Sequence, residues 1–195
     1  MSHKIFHTEG IVLSSKDTRE SDRFLTVFTK ELGVIRATAQ GIRKLESKLR
    51  YSLQDLSYAN IDFVRGREVW RVTTASKIQP LVSSSHNTYA TEVIANISRL
   101  LERLCQGEEK NELLYASVIE SFLYLQDPLL TNDQAKNVEL LTVLRIMYHL
   151  GYIGDIKNIE ALTTLELTKN LIERIYPARK SIAAHINKSL KETHL

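Results

Sequence analysis

The alternation of hydrophobic and polar residues changes its period near residue 80. Before that point the period is two, and in the segment 34–40 Ile35, Ala37 and Ala39 share one side. Successive side chains of a β-strand point to opposite faces, so this pattern predicts strands. Five of them are predicted, with turn-forming glycines at several of their edges, over residues 10–15, 23–29, 34–40, 58–64 and 68–78. Five short strands favour a small closed barrel over a sandwich, which normally takes about seven.

The predicted faces of these strands assign most aromatic residues to the barrel core. Trp70, Val72, Thr74 and Ile78 share one face of the fifth strand. The aromatic residues assigned to the core are Phe24, Phe28, Phe63 and Trp70. The opposite faces would meet solvent or a ligand.

After residue 80 the apolar residues recur with the helical period. Val93, Ile97, Leu101 and Leu104 form one stripe, which is typical of a helix that buries a single face. Further helices are predicted around residues 114–125, 131–151, 163–176 and 178–192. The third and fourth of these five helices begin with the pattern of a capping box, at Thr131 and Thr163. The sequence therefore predicts an α+β chain of two domains, a five-stranded barrel over residues 1–80 and an all-α helical bundle over residues 81–195.

The composition indicates the cellular compartment and argues against several kinds of site. The one cysteine, Cys105, has no partner for an intramolecular disulfide or a cysteine-based zinc site, which fits a reducing cytosol. No apolar run reaches the ~18 residues of a membrane span. Phosphate-binding loops, zinc-protease motifs and nucleophile elbows are absent. We therefore expect a soluble, cytoplasmic protein without catalytic residues, metal or cofactor.

Positive charge is concentrated in the barrel half. Residues 1–85 hold 14 Lys and Arg against 9 Asp and Glu, whereas residues 86–195 hold 12 against 14. This asymmetry predicts that the barrel meets a polyanion, most plausibly nucleic acid. The candidate contacts are the cations of the segment 36–50 and those of the last two strands: Arg36, Arg43, Lys44, Lys48, Arg50, Arg65, Arg67 and Arg71. Only Tyr51 and Tyr58 are plausible stacking residues, so we expect backbone-dominated, sequence-tolerant binding.

Three alternatives remain open from the residues alone. An RNA-binding or translation-associated barrel would share the fold and the charge. A metal-dependent nucleic-acid enzyme would need a carboxylate cluster, for which Asp17, Glu20 and Asp22 are the candidates. Arg145, within the apolar third helix, is either paired with a carboxylate or reads an anion at the edge of a groove.

Several segments resemble one known family. Glu9-Gly-Ile-Val-Leu13, Glu20-Ser-Asp-Arg23 and Leu32-Gly-Val-Ile-Arg-Ala-Thr-Ala-Gln-Gly41 are similar to the N-terminal domain of RecO, the bacterial recombination mediator. Leu150-Gly-Tyr152 and the C-terminal segment 186–195 are similar to its helical part. The resemblance implies an OB fold followed by a helical domain, with DNA-facing positions at Arg36, Arg43 and Lys44.

The resemblance also implies partners. RecO proteins bind single- and double-stranded DNA, anneal complementary strands, pair with RecR, and bind the acidic tail of single-strand binding protein (SSB) to help load RecA. Such a protein would be nucleoid-associated, with no membrane contact, and Arg145 is the candidate residue for a protein partner.

The sequence departs from the family at two places. Gln40 stands where the family usually has Lys or Arg, so one phosphate contact is expected to be missing. The segment 152–163 is short and has no cysteine, whereas many members carry a four-cysteine finger there. No zinc is therefore expected.

Overall fold

The chain divides into two compact units. The computed structural model describes residues 4–82, 88–105, 107–154, 162–163 and 166–192. The first unit comprises Met1–Val82 and Ser98–Glu112, and the second comprises Ser83–Ile97 and Leu113–Leu195. The first unit thus contains, besides the barrel, a stretch that the helical period assigned to the second half. None of the helices in the described ranges is long and apolar enough to cross a membrane.

The first unit is built around a closed five-stranded barrel. Its strands are β1 (Ile5–Thr18), β2 (Asp22–Thr29), β3 (Gly33–Ala39), β4 (Ser57–Arg65) and β5 (Trp70–Pro80). They pair in the order β1-β2-β3-β5-β4, and β4 closes the barrel against β1. Every pairing is antiparallel except that of β3 with β5. The predicted fold class, a five-stranded OB barrel followed by helices, is confirmed.

Strict alternation along β2 decides which aromatic residues enter the barrel core. Leu25 and Val27 are fully buried inside the barrel, so Phe24 and Thr26 point outward because neighbours on a strand face opposite sides. Phe24 is only partly buried, Phe28 is buried, and neither belongs to the core cluster of the barrel, whereas Phe63 and Trp70 do. The prediction that Phe24 is a core residue was wrong, because its aromatic character was weighed above its place in the alternation.

A β-bulge changes the faces of β5. Asp62 is paired with Thr74 and Phe63 with Val72, so Thr73 has no counterpart on β4. A second register shift, between Tyr58 and Ala59, leaves Ile78 without a counterpart as well. A bulge of this kind reverses the alternation beyond it. Ala75 packs against the core, while Thr74 and Ile78 are exposed. The prediction that these two share a buried face with Trp70 and Val72 was therefore wrong.

The described residues form six helices and one 3₁₀ turn. They are α1 (Leu49–Ser52), α2 (Thr88–Leu104), α3 (Glu112–Tyr124), α4 (Asn132–His149), α5 (Lys169–Arg174) and α6 (Arg179–Glu192), with a 3₁₀ turn at Tyr176–Ala178. The short α1 was not predicted. The capping box at Thr131 is present, with Gln134 as its second member. The helix α5 begins at Lys169, where the Thr168 side chain accepts a hydrogen bond from the Leu171 amide. The capping box predicted at Thr163 involves residues 164–165, which lie outside the described residues.

In the second unit α4 is the central helix, as its nearly uninterrupted apolar sequence predicts. Val138, Leu141, Leu144 and Met147 are completely buried although they lie on different sides of α4. Both α5 and α6 pack against it. A helix that is apolar all round is stable only when neighbouring elements cover every side.

Candidate nucleic-acid interface

A basic groove crosses the outer face of the barrel. It lies between the β1–β2 loop, residues 19–21, and the β4–β5 loop, residues 66–69, and has a volume of about 490 Å³. We call it the arginine groove, because three arginines outnumber two carboxylates in its lining, which includes Arg19, Asp22, Phe24, Thr38, Gln40, Arg67, Glu68 and Arg71. In barrels of this type these two loops and the face of strands 2 and 3 hold oligonucleotides.

Strand register brings the side chains of the groove together. Phe24 on β2 is paired with Thr38 on β3, and Thr38 is in turn paired with Arg71 on β5. Residues paired across neighbouring strands project to the same side of a sheet. An aromatic ring, a hydroxyl and a guanidinium therefore follow one another across the outer face, and Arg19 and Arg67 flank them from the two loops.

A second cavity adjoins the arginine groove and has the opposite charge. We call it the carboxylate pocket; it measures about 670 Å³ and its lining includes Phe24, Arg36, Glu68, Trp70, Glu102 and Glu108. Phe24, Glu68 and Val69 line both cavities. Phe24 thus lies where the basic and acidic parts of the surface meet.

Four of the predicted contacts lie outside the lining of the arginine groove, in the β3–β4 loop. This loop, residues 40–56, contains Arg43, Lys44, Lys48 and Arg50, all exposed. Of these, Lys44, Lys48 and Arg50 can add phosphate contacts, because they are already solvent-accessible.

Asp22 holds the start of this loop against the β1–β2 turn. The buried Asp22 carboxylate accepts a hydrogen bond from the Gly41 amide at 2.8 Å, and the Arg43 amide donates to the Ser21 carbonyl at 3.0 Å. Gly41 has φ of +65°, a conformation that favours glycine. The two segments that resemble the RecO family, around residues 20–23 and 32–41, are thus joined in space.

Two of the predicted DNA contacts are already ion-paired. Arg43 lies 3.4 Å from Asp17, and Arg65 lies 3.3 Å from Glu108. A hydrogen bond from Arg23 lowers the pKa of Asp17 below its ordinary value against the opposing effect of desolvation, and the charge of Arg43 lowers it further. Phosphate would have to compete with these carboxylates at both arginines.

The remaining arginines of this surface are not neutralised in this way. Within the part of the chain that the structure describes, Arg19, Arg36, Arg67 and Arg71 have no carboxylate partner. All four are exposed. Of the predicted contacts, the structure therefore brings Arg67 and Arg71 together in the arginine groove and places Arg36 in the adjoining pocket. The others line neither cavity.

The carboxylates considered for a metal-dependent enzyme have structural contacts instead. Asp17 pairs with Arg23 at 2.7 Å, and Asp22 accepts from Gly41 and from the Ser21 hydroxyl. Over the described ranges no group of three or more His, Cys, Asp or Glu side chains could hold a metal ion. The prediction that the segment 152–163 holds no zinc falls partly on residues 155–161, which lie outside the described residues.

Arg145 is buried and paired with a carboxylate. Its side chain is 2% exposed, and its Nη1 lies 2.8 Å from Glu120 Oε2. Its Nε also donates to the Leu162 carbonyl at 3.1 Å. Glu120 accepts a second hydrogen bond from the Leu167 amide at 2.6 Å, so the pair connects α3 and α4 to the segment before α5. Of the two alternatives for Arg145, this geometry corresponds to the paired one, and its role toward a partner stays a prediction.

Sequence reasoning missed two important residues of the groove. Arg19 was overlooked because a single arginine in a turn has no pattern; its backbone has φ of +51°, in the tight turn between β1 and β2. Phe24 could have been found, because the buried Leu25 and Val27 require an outward side chain before them.

The strand order, the loops that bound the groove and its arginines define the first unit as an OB-type barrel with a basic ligand face. Residues 1–81 match the family model described as "Recombination protein O N terminal". The barrel part of the chain is thus similar to the N-terminal domain of this protein family.

Individual relatives extend the match into the helical unit. The chain is 30% identical over 155 residues to the DNA repair protein RecO of Thermodesulfovibrio yellowstonii, covering 78% of this chain and 60% of that protein. It is 30% identical over 123 residues to the DNA repair protein RecO of Caldicellulosiruptor saccharolyticus, covering 63% and 50%. It is 26% identical over 151 residues to the DNA repair protein RecO of Clostridium perfringens, and the match covers 76% of this chain and 59% of that protein. The chain thus spans about half to three fifths of the length of these curated relatives.

Proposed function

We propose that this chain is a RecO-like mediator of DNA repair and homologous recombination that binds single- and double-stranded DNA and anneals complementary strands. The relatives it matches bear the name DNA repair protein RecO. The observation that carries the proposal is the arginine groove, where Arg19, Arg67 and Arg71 flank the ligand face of an OB-type barrel. The protein would act in the cytoplasm on nucleoid DNA and catalyse no covalent step.

The mechanism is electrostatic. Cations on the barrel neutralise phosphates and release counterions, which supplies much of the affinity for nucleic acid. Two strands that are each partly neutralised repel one another less, so complementary segments can pair. The exposed Lys44, Lys48 and Arg50 on the β3–β4 loop lie outside the lining of the groove and would serve a second strand.

Protein partners belong to the second part of the proposal. We place the contacts with RecR and with the acidic tail of SSB on residues 81–195. Through these two partners the chain would indirectly assist the loading of RecA. This part rests on the relatedness to RecO, and Arg145 remains the one candidate residue for it.

Strand annealing tests the proposal directly. Two complementary oligonucleotides, one with a fluorophore and one with a quencher, are mixed with the full chain, with and without SSB. We expect faster annealing with the chain, and slower annealing when Arg67 and Arg71 are both replaced by alanine. Rates equal to those of the naked strands would contradict the proposal.

A competition experiment distinguishes DNA from RNA as the ligand. Labelled single-stranded DNA bound to the chain is displaced by unlabelled DNA or by RNA of the same sequence and length. The proposal expects DNA to compete at least as well as RNA. A clear preference for RNA would instead favour the RNA-binding alternative.

A further inference from the structure

We propose that Phe24 is the stacking platform for one unpaired nucleobase, and that this single site lets the barrel distinguish single strands from duplex. The inference rests on the proposed DNA binding and deepens it. It depends on the position of Phe24 between two cavities of opposite charge.

Among the described residues that line the two cavities, Phe24 is the aromatic side chain that a ligand can reach. Among the described residues that line the two cavities, the aromatic ones are Phe24 and Trp70. Trp70 is 3% exposed, its ring packs edge-on against Phe6 and Phe63, and its indole N–H donates to Glu108 at 2.9 Å. Phe24, by contrast, is partly exposed and contributes to the lining of both cavities.

The two cavities favour different parts of a nucleic-acid strand, the backbone phosphates in one and a base in the other. Phosphates are favoured in the arginine groove beside Arg19, Arg67 and Arg71. They are disfavoured in the carboxylate pocket, where Glu68, Glu102 and Glu108 outnumber Arg36. The ion pair of Glu108 with Arg65 offsets only one of these three negative charges. A nucleobase carries no net charge and has a flat apolar face. A strand lying along the groove would therefore direct a base, and not its phosphate, across Phe24 toward the pocket.

Stacking requires a base that is free of its complement. In duplex DNA the bases are already stacked and face inward, so only phosphates and groove edges reach the protein. Stacking on an aromatic side chain raises affinity for single strands by about tenfold per base. The same contact is tolerant of sequence because every base has such a face.

The experiment compares two single-stranded ligands of equal charge. One is an oligonucleotide of about 12 thymidines, within the range that one such barrel covers, and the other has the same phosphates but abasic sugars. Each is titrated against the full chain, Phe24→Ala, Phe24→Trp and Tyr51→Ala. Tyr51→Ala tests the rival stacking residue named from the sequence, because Tyr51 is 67% exposed on α1 and lies outside both cavities.

We expect the wild type to bind the thymidine ligand about tenfold more tightly than the abasic ligand. Phe24→Ala should bring this ratio close to one and leave affinity for duplex and abasic DNA unchanged. Phe24→Trp should keep the ratio, and its fluorescence should be quenched by the thymidine ligand but not by the abasic one. Tyr51→Ala should behave as the wild type does.

Three results would overturn the inference. One is an unchanged ratio in Phe24→Ala, and another is a ratio lost in Tyr51→Ala instead. A third is a parallel loss of affinity for all ligands in Phe24→Ala, since this would show a structural role for the ring. Absence of salt-sensitive binding to either ligand by the wild type would overturn the proposed DNA binding itself, which distinguishes the two failures.

Discussion

Replacing Arg145 by methionine should destabilise the chain strongly. Methionine keeps most of the volume of the side chain but removes the guanidinium that lies 2.8 Å from Glu120 and 3.1 Å from the Leu162 carbonyl. Breaking a fully buried ion pair costs about 3–5 kcal/mol because the remaining charge is left without a partner. Here the Glu120 side chain is 32% exposed, so water can partly solvate the carboxylate. We therefore expect a loss of about 2–4 kcal/mol in the free energy of unfolding.

Urea denaturation of the full chain, followed by circular dichroism at helical wavelengths, measures this loss. Arg174→Met is the matched control, because Arg174 is an exposed residue of α5 in the same unit, and it should change stability by less than about 0.5 kcal/mol. The same variants are titrated with an acidic tail peptide of SSB. A loss below about 1 kcal/mol together with weakened peptide binding would refute the structural role and favour a direct contact with the partner.

Three further predictions, on a glycine, a cysteine and a histidine, test local features of the two units. Gly33→Ala should lower the free energy of unfolding in urea by about 1–3 kcal/mol, because φ of Gly33 is +68° and the new methyl group would lie 2.4 Å from the Glu109 carbonyl oxygen. Gly154→Ala should be neutral, because the space around Gly154 is open. Equal effects of the two substitutions would contradict this. Burial raises the pKa of Cys105 to about 11, so it should react slowly with Ellman's reagent at about pH 8 and rapidly only after unfolding; fast reaction of the native chain would show an accessible thiolate. Burial, together with the charge of Arg145, lowers the pKa of His149 below its ordinary value. The folded state therefore favours the neutral imidazole of His149. The stability that this preference contributes is complete above the ordinary pKa of about 6.5 and is lost as the pH falls through the lower pKa of the folded state. An NMR titration that gives His149 a pKa at or above 6.5 would contradict this prediction.

The barrel was predictable from sequence because alternation determines which residues face inward on β2 and β3. The buried Leu25, Val27, Ile35 and Ala37 alternate without interruption. Prediction failed on β5, where the register shift between Asp62 and Phe63 reverses the faces. The local sequence does not show which residue of a strand lacks a counterpart, because a bulge depends on the strand opposite.

The candidate site was predictable in charge but not in arrangement. The excess of cations in the first 85 residues identified the barrel as the basic unit. Which cations are available depends on ion pairs between residues distant in sequence, such as Arg65 with Glu108. Such pairs arise from the fold, and no local pattern contains them.

The central claim is that the arginine groove binds the phosphates of DNA, and the salt dependence of single-strand affinity tests it most directly. The logarithm of the binding constant is measured between about 50 and 200 mM salt for the wild type, Arg67→Ala/Arg71→Ala and Lys180→Ala/Lys191→Ala. The control pair removes the same charge from exposed positions of α6 in the other unit. We expect the slope to flatten by about 1.4 in the arginine variant, about 0.7 for each lost phosphate contact, and to stay unchanged in the lysine control. Equal slopes in all three proteins, or a flatter slope in the lysine control alone, would contradict the account.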